Sequence, residues 1–132
     1  MKYLVPFFLV FLVASCRAPE ETPTFSSLIV KNQWKVGFAR DFSNNVTGIY
    51  NGWRFSFSAA GTLTVTTGTS TLSGTWQENV PARKVRLLIN SSTTPAAFAS
   101  KEWDLVFMNP GRIKLADNRF SPSRELYFDR VP

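Results

Sequence analysis

The chain of 132 residues contains no histidine and only one cysteine, Cys16. Without histidine, neither a Ser-His-Asp triad nor a Cys–His dyad can be assembled. The ligand sets that usually hold zinc, copper and iron are also missing. A single cysteine has no partner for an intrachain disulfide. The composition therefore predicts a protein that is not an enzyme and that holds no metal and no cofactor.

Long apolar runs are also missing. The longest extends over residues 4–14, whereas a helix that spans a bilayer needs about 20 apolar residues. The run follows Lys2 and ends at the small residue Ser15. A positive charge, a short apolar segment and small residues in this order are typical of a secretory signal peptide, which we assign to residues 1–15.

The end of this segment, Val13-Ala14-Ser15-Cys16, resembles the lipobox of bacterial lipoproteins. In proteins with that motif the cysteine thiol receives a diacylglyceryl group, and cleavage leaves the cysteine as the first residue. Sulfur is the most nucleophilic side-chain atom available for such an alkylation. The resemblance implies that Cys16 is the lipid-attachment residue and that acyl chains such as palmitate hold the protein on a membrane. The alternative is an ordinary signal peptide that happens to contain a cysteine.

Residues 17–27 are rich in Pro, Thr, Ser and Glu, a composition typical of a flexible tether. Residues 16–27 are therefore expected to link the lipid to a single domain over residues 28–132. The pair Glu20-Glu21 resembles the acidic stretch that directs some Bacteroidetes lipoproteins to the cell surface. Arg17 differs from the aspartate that retains enterobacterial lipoproteins in the inner membrane. These resemblances imply the cell envelope and its outer membrane, on either the periplasmic or the surface side.

Negative charge is scarce, with 9 Asp and Glu against 15 Lys and Arg. Such a surface could attract an anionic partner or could simply be solvated. Proteins that bind nucleic acid interleave aromatic and basic residues on one exposed face. Here Trp53 and Phe55 point to one side of a strand and Arg54 to the other, which predicts core packing and no nucleic-acid partner.

Helical periodicity longer than about two turns is absent, and from Leu28 onward apolar and polar residues alternate as in strands. The alternating apolar residues include Phe55, Phe57, Leu63, Val65, Val85, Leu87, Trp103, Leu105, Ile113, Leu115, Leu126 and Phe128. With a first strand at 34–42 there are about eight strands, and tight turns at 58–61 and 109–111 favour antiparallel neighbours. The sequence predicts an all-β fold, an antiparallel up-and-down meander closed into a barrel, because closure removes exposed edges.

Three segments carry a resemblance to a known family: "YNGWRFSFSAAGTLTVTTGTSTLSGTWQE", "EWDLVFMNPGRIKLAD" and "RELYFDRV". Their order resembles that of the lipocalin-like domain lipoproteins common in Bacteroidetes, and the resemblance implies a lipocalin-like barrel. Lipocalins proper have Gly-x-Trp on the first strand, where this chain has Asn32-Gln33-Trp34. In that family the tryptophan packs against an arginine of the last strand. The resemblance thus implies that Arg124 or Arg130 covers Trp34.

One carboxylate pair, Glu102 and Asp104, could in principle support acid–base chemistry. Its side chains alternate with Trp103 and Leu105, so both are expected to face solvent. A meander should place cations of the two neighbouring strands beside the pair, namely Lys84, Arg86, Arg112 and Lys114. This arrangement predicts an ordinary cross-strand charge ladder rather than a catalytic site.

In a meander, alternate links lie at the same end of the sheet. One end collects the links 43–52, 67–70, 91–101 and 117–123, of which three are long, and the other end has short turns. Barrel mouths and long loops are common ligand sites. The apolar residues of these links are the predicted contacts of a small apolar or amphipathic ligand, namely Ile49, Tyr50, Phe98 and Phe120. Two alternatives stay open: these side chains could plug the barrel, or the loops could form a protein interface of an accessory or inhibitor module of a cell-surface complex whose partner is unknown.

Overall fold

The computed structural model describes residues 24–119 and 123–132. The predicted signal peptide (1–15), Cys16 and residues 17–23 lie outside this part of the chain. No helix in the described part is both long enough and apolar enough to cross a membrane.

Nine strands make up most of the described chain. They are β1 (Gln33–Asp41), β2 (Asn44–Asn45), β3 (Arg54–Phe57), β4 (Thr62–Thr66), β5 (Thr71–Asn79), β6 (Lys84–Ile89), β7 (Glu102–Asn109), β8 (Arg112–Asp117) and β9 (Arg124–Arg130). The helices of this part are α1 (Phe25–Ile29), a 3-10 helix (Thr47–Tyr50) and α2 (Thr94–Ala99).

The strands form one antiparallel sheet in which each strand from β3 to β9 pairs with the next along the chain. β1 pairs with β3 on one side and with β9 on the other, so the ladder of hydrogen bonds closes into a ring. The short β2 adds two residue pairs at the end of β1. The prediction of an all-β antiparallel meander is confirmed.

Side chains fill the inside of the ring. Burial alternates along each strand as the sequence pattern predicts: in β4, Leu63 and Val65 are fully buried while Thr62 and Thr66 are exposed. The largest fully buried side chains are Trp34, Trp103, Phe25, Phe55 and Phe128. Burying an apolar side chain of the size of leucine or phenylalanine stabilises a fold by about 1.5–3 kcal/mol. The interior is therefore a packed core.

Two glycines allow the backbone or a side chain of a neighbouring strand to come close. A Cβ atom on Gly74 of β5 would overlap the carbonyl oxygen of Leu88, which is backbone of the paired strand β6. A Cβ atom on Gly37 would overlap the carboxylate of Asp129. Gly37 lies where the register of β1 against β9 shifts, and such bulges bend and twist a strand. Both positions thus help the sheet to curve and close.

The helix α1, which starts before the boundary expected at residue 28, belongs to the folded domain. Thr24 caps this helix, because its hydroxyl accepts from the Ser27 N–H (3.1 Å) and the Ser27 hydroxyl accepts from the Thr24 N–H (3.0 Å). Phe25 is fully buried and packs edge to face on Trp76, with 5.8 Å between ring centroids. The last residues of the expected tether therefore belong to the domain, since the core takes in Phe25.

The links between strands lie at two opposite ends of the sheet. The base comprises residues 24–32, 58–61, 80–83, 110–111 and 131–132. The long-loop end comprises residues 42–53, 67–70, 90–101 and the described residues among 118–123. The helix α1 lies at the base, where the carbonyl of Ile29 accepts from the Trp34 indole N–H (2.9 Å). The 3-10 helix and α2 both lie at the long-loop end.

Candidate functional site

A pocket of about 360 Å³ opens at the long-loop end. The segment around the 3-10 helix and the helix α2 form its two walls, and the ends of β1 and β9 complete it. Its apolar lining residues are Val46, Ile49, Ala97 and Phe98, and its charged ones are Asp41, Lys101 and Arg124. An apolar surface beside charged groups suits an amphipathic molecule.

The structure brings two of the four predicted ligand contacts together. Ile49 and Phe98 come from different links, and both line this pocket in a half-buried state. Tyr50 does not line it: its side chain is 3% exposed and lies in the core. Phe120 lies outside the described residues.

Tyr50 connects the two walls on the core side of the pocket. Its hydroxyl donates a hydrogen bond to the carbonyl of Pro95 in α2 (2.7 Å), and its ring packs edge to face on Trp53 (5.5 Å between centroids). Burial raises the pKa of its hydroxyl well above the ordinary value. For this residue the alternative interpretation, a loop side chain that plugs the interior, describes the structure.

The first wall is held by polar contacts to β1. The Asn45 side-chain carbonyl accepts from the Thr47 N–H (2.9 Å), and the Thr47 hydroxyl accepts from the Ala39 N–H (2.9 Å). The Val46 N–H donates to the carbonyl of Ala39 (2.9 Å). These bonds start the 3-10 helix at a fixed point, so that Val46 and Ile49 face the pocket.

The second wall, α2, fills a gap in the sheet. β6 and β7 pair only where residues 84–86 face residues 102–104. Beyond that point α2 packs on β6 through the small buried side chains Ala96 and Ala99. The Ser100 hydroxyl donates to the carbonyl of Ala96 (2.7 Å) and accepts from the Ile89 N–H (2.9 Å). Phe98 rests on Trp103, with 5.7 Å between ring centroids.

Ion pairs surround the pocket. Arg124 donates to the carboxylate of Asp41 at 2.8 Å, and Lys101 donates to Asp117 at 2.9 Å. Arg119 also donates to Asp117, at 2.8 Å. The hydrogen bonds from Arg119 and then from Lys101 hold the pKa of the Asp117 carboxyl well below its usual range, although burial opposes this shift.

Asp117 supports the rim of the pocket through Lys101 and was not among the predicted site residues. It is 3% exposed, although it was expected as the first residue of a link. Its position repeats the alternation of the buried residues Ile113 and Leu115, and this parity was the available signal. Of the two partners that allow a carboxylate to be buried there, Arg119 is two residues away and Lys101 is 16 residues away in the chain.

Three grooves in the described part of the chain are larger. Two, of about 530 and 490 Å³, lie on the outer side of the sheet toward the base, and one of about 380 Å³ lies at the link 67–70, where polar residues and glycines line it. Polar side chains of β5 and β6 such as Gln77, Glu78 and Arg86 line the first two. The pocket between the 3-10 helix and α2 is smaller but carries the apolar contacts that hold a small molecule. We therefore take it as the candidate site.

The predicted charge ladder is present on one side only. Lys84 lies opposite Asp104 and donates to it at 2.6 Å, and Arg86 lies opposite Glu102. On the other side the prediction was wrong, because the tight hairpin pairs Arg112 with Asn109 and Lys114 with Phe107. Asp104 therefore faces Ala116, and the two predicted partners Arg112 and Lys114 lie farther along the hairpin.

Arg112 instead forms an ion pair with a carboxylate of β9. It donates to both carboxylate oxygens of Asp129, at 2.6 and 2.9 Å. Within residues 24–119 and 123–132 no three Asp, Glu, Cys or His side chains group as metal ligands.

Trp34 occupies the core position expected for the first-strand tryptophan. Its indole N–H donates a hydrogen bond to the carbonyl of Ile29. Arg130 lies opposite it in register, while Arg124 lies over the ring of Phe42 at 4.5 Å and pairs with Asp41. Of the two implied arginines, Arg130 is thus the one placed beside Trp34.

No family model matches the chain, and no curated protein matches it. Among solved structures, the crystal structure of a DUF4847 family protein from Bacteroides vulgatus is similar, with a TM-score of 0.60 and 15% sequence identity. The match covers 82% of this chain and 98% of that chain. At this identity the likeness concerns the fold: the two chains share an all-β architecture.

Proposed function

We propose that this protein is a membrane-anchored bacterial lipoprotein whose lipocalin-like barrel binds a small apolar or amphipathic ligand without catalysing a reaction. The closed ring of paired strands and the similarity to the Bacteroides protein support the barrel. The Val-Ala-Ser-Cys motif supports lipid attachment at Cys16, and hence a place in the cell envelope at the outer membrane.

One observation carries the ligand proposal: two predicted apolar contacts from separate loops line the same pocket. Its volume of about 360 Å³ lies within the range of small-molecule sites, about 300–1,000 Å³. Ile49 and Phe98 would hold the apolar part of the ligand. Lys101 and Arg124 at the rim would donate hydrogen bonds to a polar group of the ligand, and their own carboxylate partners keep their side chains in place.

A fluorescent probe with an aromatic body and a sulfonate group, anilinonaphthalene sulfonate, tests this pocket. Ile49→Asp should weaken its binding about tenfold or more, because a charge on the apolar wall opposes an apolar ligand. Val106→Asp is the matched control, since Val106 is an exposed valine outside the pocket. Equal binding by both variants and the unmodified protein would overturn the assignment. Native mass spectrometry of protein purified from its own cells would then identify the natural ligand.

The lipid anchor has a separate test. Cys16→Ala should abolish labelling of the protein by radioactive palmitate in growing cells, because the thiol that carries the lipid is gone. Labelling that persists in the variant would contradict attachment at Cys16.

A second function is favoured by the filled interior of the ring. Because core side chains occupy that space, the pocket is formed by loops and is open to solvent. The same loops could then form a protein interface of an accessory or inhibitor module at the cell surface. Crosslinking in intact cells, followed by purification, separates the two proposals. A stoichiometric protein partner that is lost in Ile49→Asp, with no small molecule bound, would favour the interface.

A further inference from the structure

The described chain begins at the base of the sheet and is fixed there. Phe25 packs on Trp76, and the Ser26 hydroxyl donates to the Glu78 carboxylate at 2.6 Å. Thr24, which caps α1, therefore lies at the base. β1 has nine residues and extends for roughly 30 Å along its own axis, at about 3.3 Å per residue. The pocket lies beyond the far end of this strand.

A lipid on Cys16 would keep the base close to the bilayer. Cys16 precedes Thr24 by 24 − 16 = 8 residues. A fully extended chain spans at most about 3.6 Å per residue, so the base can lie no more than roughly 30 Å from the lipid attachment point. This step rests on the proposed lipid attachment.

The base has the charge that an anionic membrane would attract. Its described links contain no Asp or Glu, and the carboxylates at the adjoining strand ends, Glu78 and Asp129, accept from Ser26 and Arg112. Lys31 and Arg83 lie in these links, and Arg130 is the last residue of β9 beside them. All three are exposed, and none of them forms an ion pair within the described part of the chain. At the long-loop end, by contrast, Lys101 and Arg124 are each paired with a carboxylate.

The turn between β5 and β6 places an apolar side chain beside one of these cations. Its Arg83 N–H donates to the carbonyl of Val80 (3.1 Å), and Arg83 has a positive φ of 55°. Val80 is 58% exposed at this turn. A cation next to an exposed apolar side chain suits the headgroup region of a bilayer, where the charge meets phosphate and the apolar group meets acyl chains.

We propose that the base is a membrane-docking surface that binds anionic phospholipid headgroups through Lys31, Arg83 and Arg130. The anchored protein then stands with its base on the bilayer and with its pocket directed away from it. Each cation near an anionic surface strengthens binding roughly fivefold at physiological ionic strength, so three together are worth roughly 100-fold. The effect falls with added salt because screening shortens the reach of the field.

Energy transfer in vesicles measures this orientation. The lipidated full chain is placed in vesicles of phosphatidylcholine with phosphatidylglycerol, with a fluorophore on a single new cysteine and an acceptor dye on the lipid. Ala82→Cys reports on the base and Thr69→Cys on the long-loop end, and both residues are exposed. The Ala82 position should transfer much more strongly than the Thr69 position. Equal transfer from both, or stronger transfer from Thr69, would overturn the proposal.

Charge variants test which residues carry the docking. The triple variant Lys31→Gln, Arg83→Gln, Arg130→Gln should lower the ratio of the two transfer signals by about twofold or more. Its matched control removes the same charge from strand positions outside the base grooves, through Arg40→Gln, Arg54→Gln and Lys114→Gln, and should keep the ratio. Vesicles of phosphatidylcholine alone should resemble the triple variant. A ratio that is unchanged in the triple variant or in those vesicles would overturn the role of the three cations.

Flotation of the same vesicles separates this proposal from the anchor. Protein that does not float with vesicles lacks a working lipid anchor, and that result would overturn both proposals. Protein that floats but shows equal transfer would overturn the docking surface alone.

Discussion

The base of the sheet is sealed by apolar packing, whereas the long-loop end is closed mainly by polar contacts. At the base, α1 places Phe25 against Trp76 with no exposed surface. At the long-loop end, the hydrogen bond from Tyr50 to Pro95 and the ion pairs of Asp41 and Asp117 hold the walls. Apolar packing fills space, while a polar bridge joins two walls at one point and leaves room beside it. The polar bridges thus leave room for a pocket between the 3-10 helix and α2.

The two ends also differ in whether their cations are paired with carboxylates of the protein. Cations at the long-loop end are held by carboxylates of the protein itself, which sets the shape of the pocket rim. Those at the base, such as Arg83 and Arg130, have no such partner in the described part of the chain and remain available to a surface outside the protein. The ion pairs of the long-loop end thus fix the geometry of the pocket rim, whereas the cations of the base can bind an anionic surface.

Removing the apolar side chain of Phe25 at the base should have the largest effect on the free energy of unfolding. We expect Phe25→Ala to lower the free energy of unfolding by about 3–5 kcal/mol, because it leaves a cavity in the core. Urea unfolding followed by tryptophan fluorescence measures the change. Phe107→Ala is the matched control, since Phe107 is 42% exposed, and its loss should be much smaller. Similar losses in both variants would mean that α1 does not seal the base.

Removing the buried carboxylate of the other end should cost less. Asp117→Asn leaves Lys101 and Arg119 without their anion, and we expect a loss of about 1–3 kcal/mol at pH 7. Asp41→Asn is the control: its side chain is 38% exposed, and the expected loss is about 0–1 kcal/mol.

Acid should reproduce the effect of Asp117→Asn in the unmodified protein. The folded state lowers the pKa of Asp117 from its ordinary 3.8, so its contribution is complete above that value and is lost as pH falls further. Urea unfolding between pH 5 and pH 2 should therefore show a shallower acid loss in Asp117→Asn. Equal pH dependence in the two proteins would contradict this role.

Removing only the polar bridge should have the smallest effect. Tyr50→Phe deletes the hydrogen bond to Pro95 and keeps the ring, and we expect a loss of about 0.5–1.5 kcal/mol. Amide hydrogen exchange of α2 should accelerate, while exchange in α1 should stay the same. If α2 exchanges at the original rate, another contact holds this wall.

The stability of the protein at alkaline pH is a second test of the burial of Tyr50. Burial raises the pKa of Tyr50 above its ordinary 10.0, so the stability linked to this group is full below that value and is lost as pH rises above it. Tyr50→Phe lacks this group and should show a weaker alkaline loss of stability in thermal unfolding. An unchanged alkaline profile would show that Tyr50 ionises in the folded state.

Much of the fold and part of the site could be predicted because they depend on neighbours along the chain. Alternation in segments such as 62–66 reflects one face that meets the core and one that meets water. Antiparallel order then places alternate links at one end, which is why Ile49 and Phe98 could be expected near each other. For Tyr50 the sequence left ligand contact and plugging of the interior both open, since the choice depends on a hydrogen-bond acceptor in α2, 45 residues away.

The strand pattern, the antiparallel order and the two kinds of end follow from the amino-acid sequence, because side-chain alternation and link length act locally. Which side chains line the pocket, where strand registers shift and how Asp117 is buried follow from the packing of the whole domain. These features depend on groups that are distant in sequence: α2 lies in the gap between β6 and β7, and Lys101 pairs with a carboxylate 16 residues away. No local sequence pattern predicts these contacts, because they form only when the ring of strands has closed.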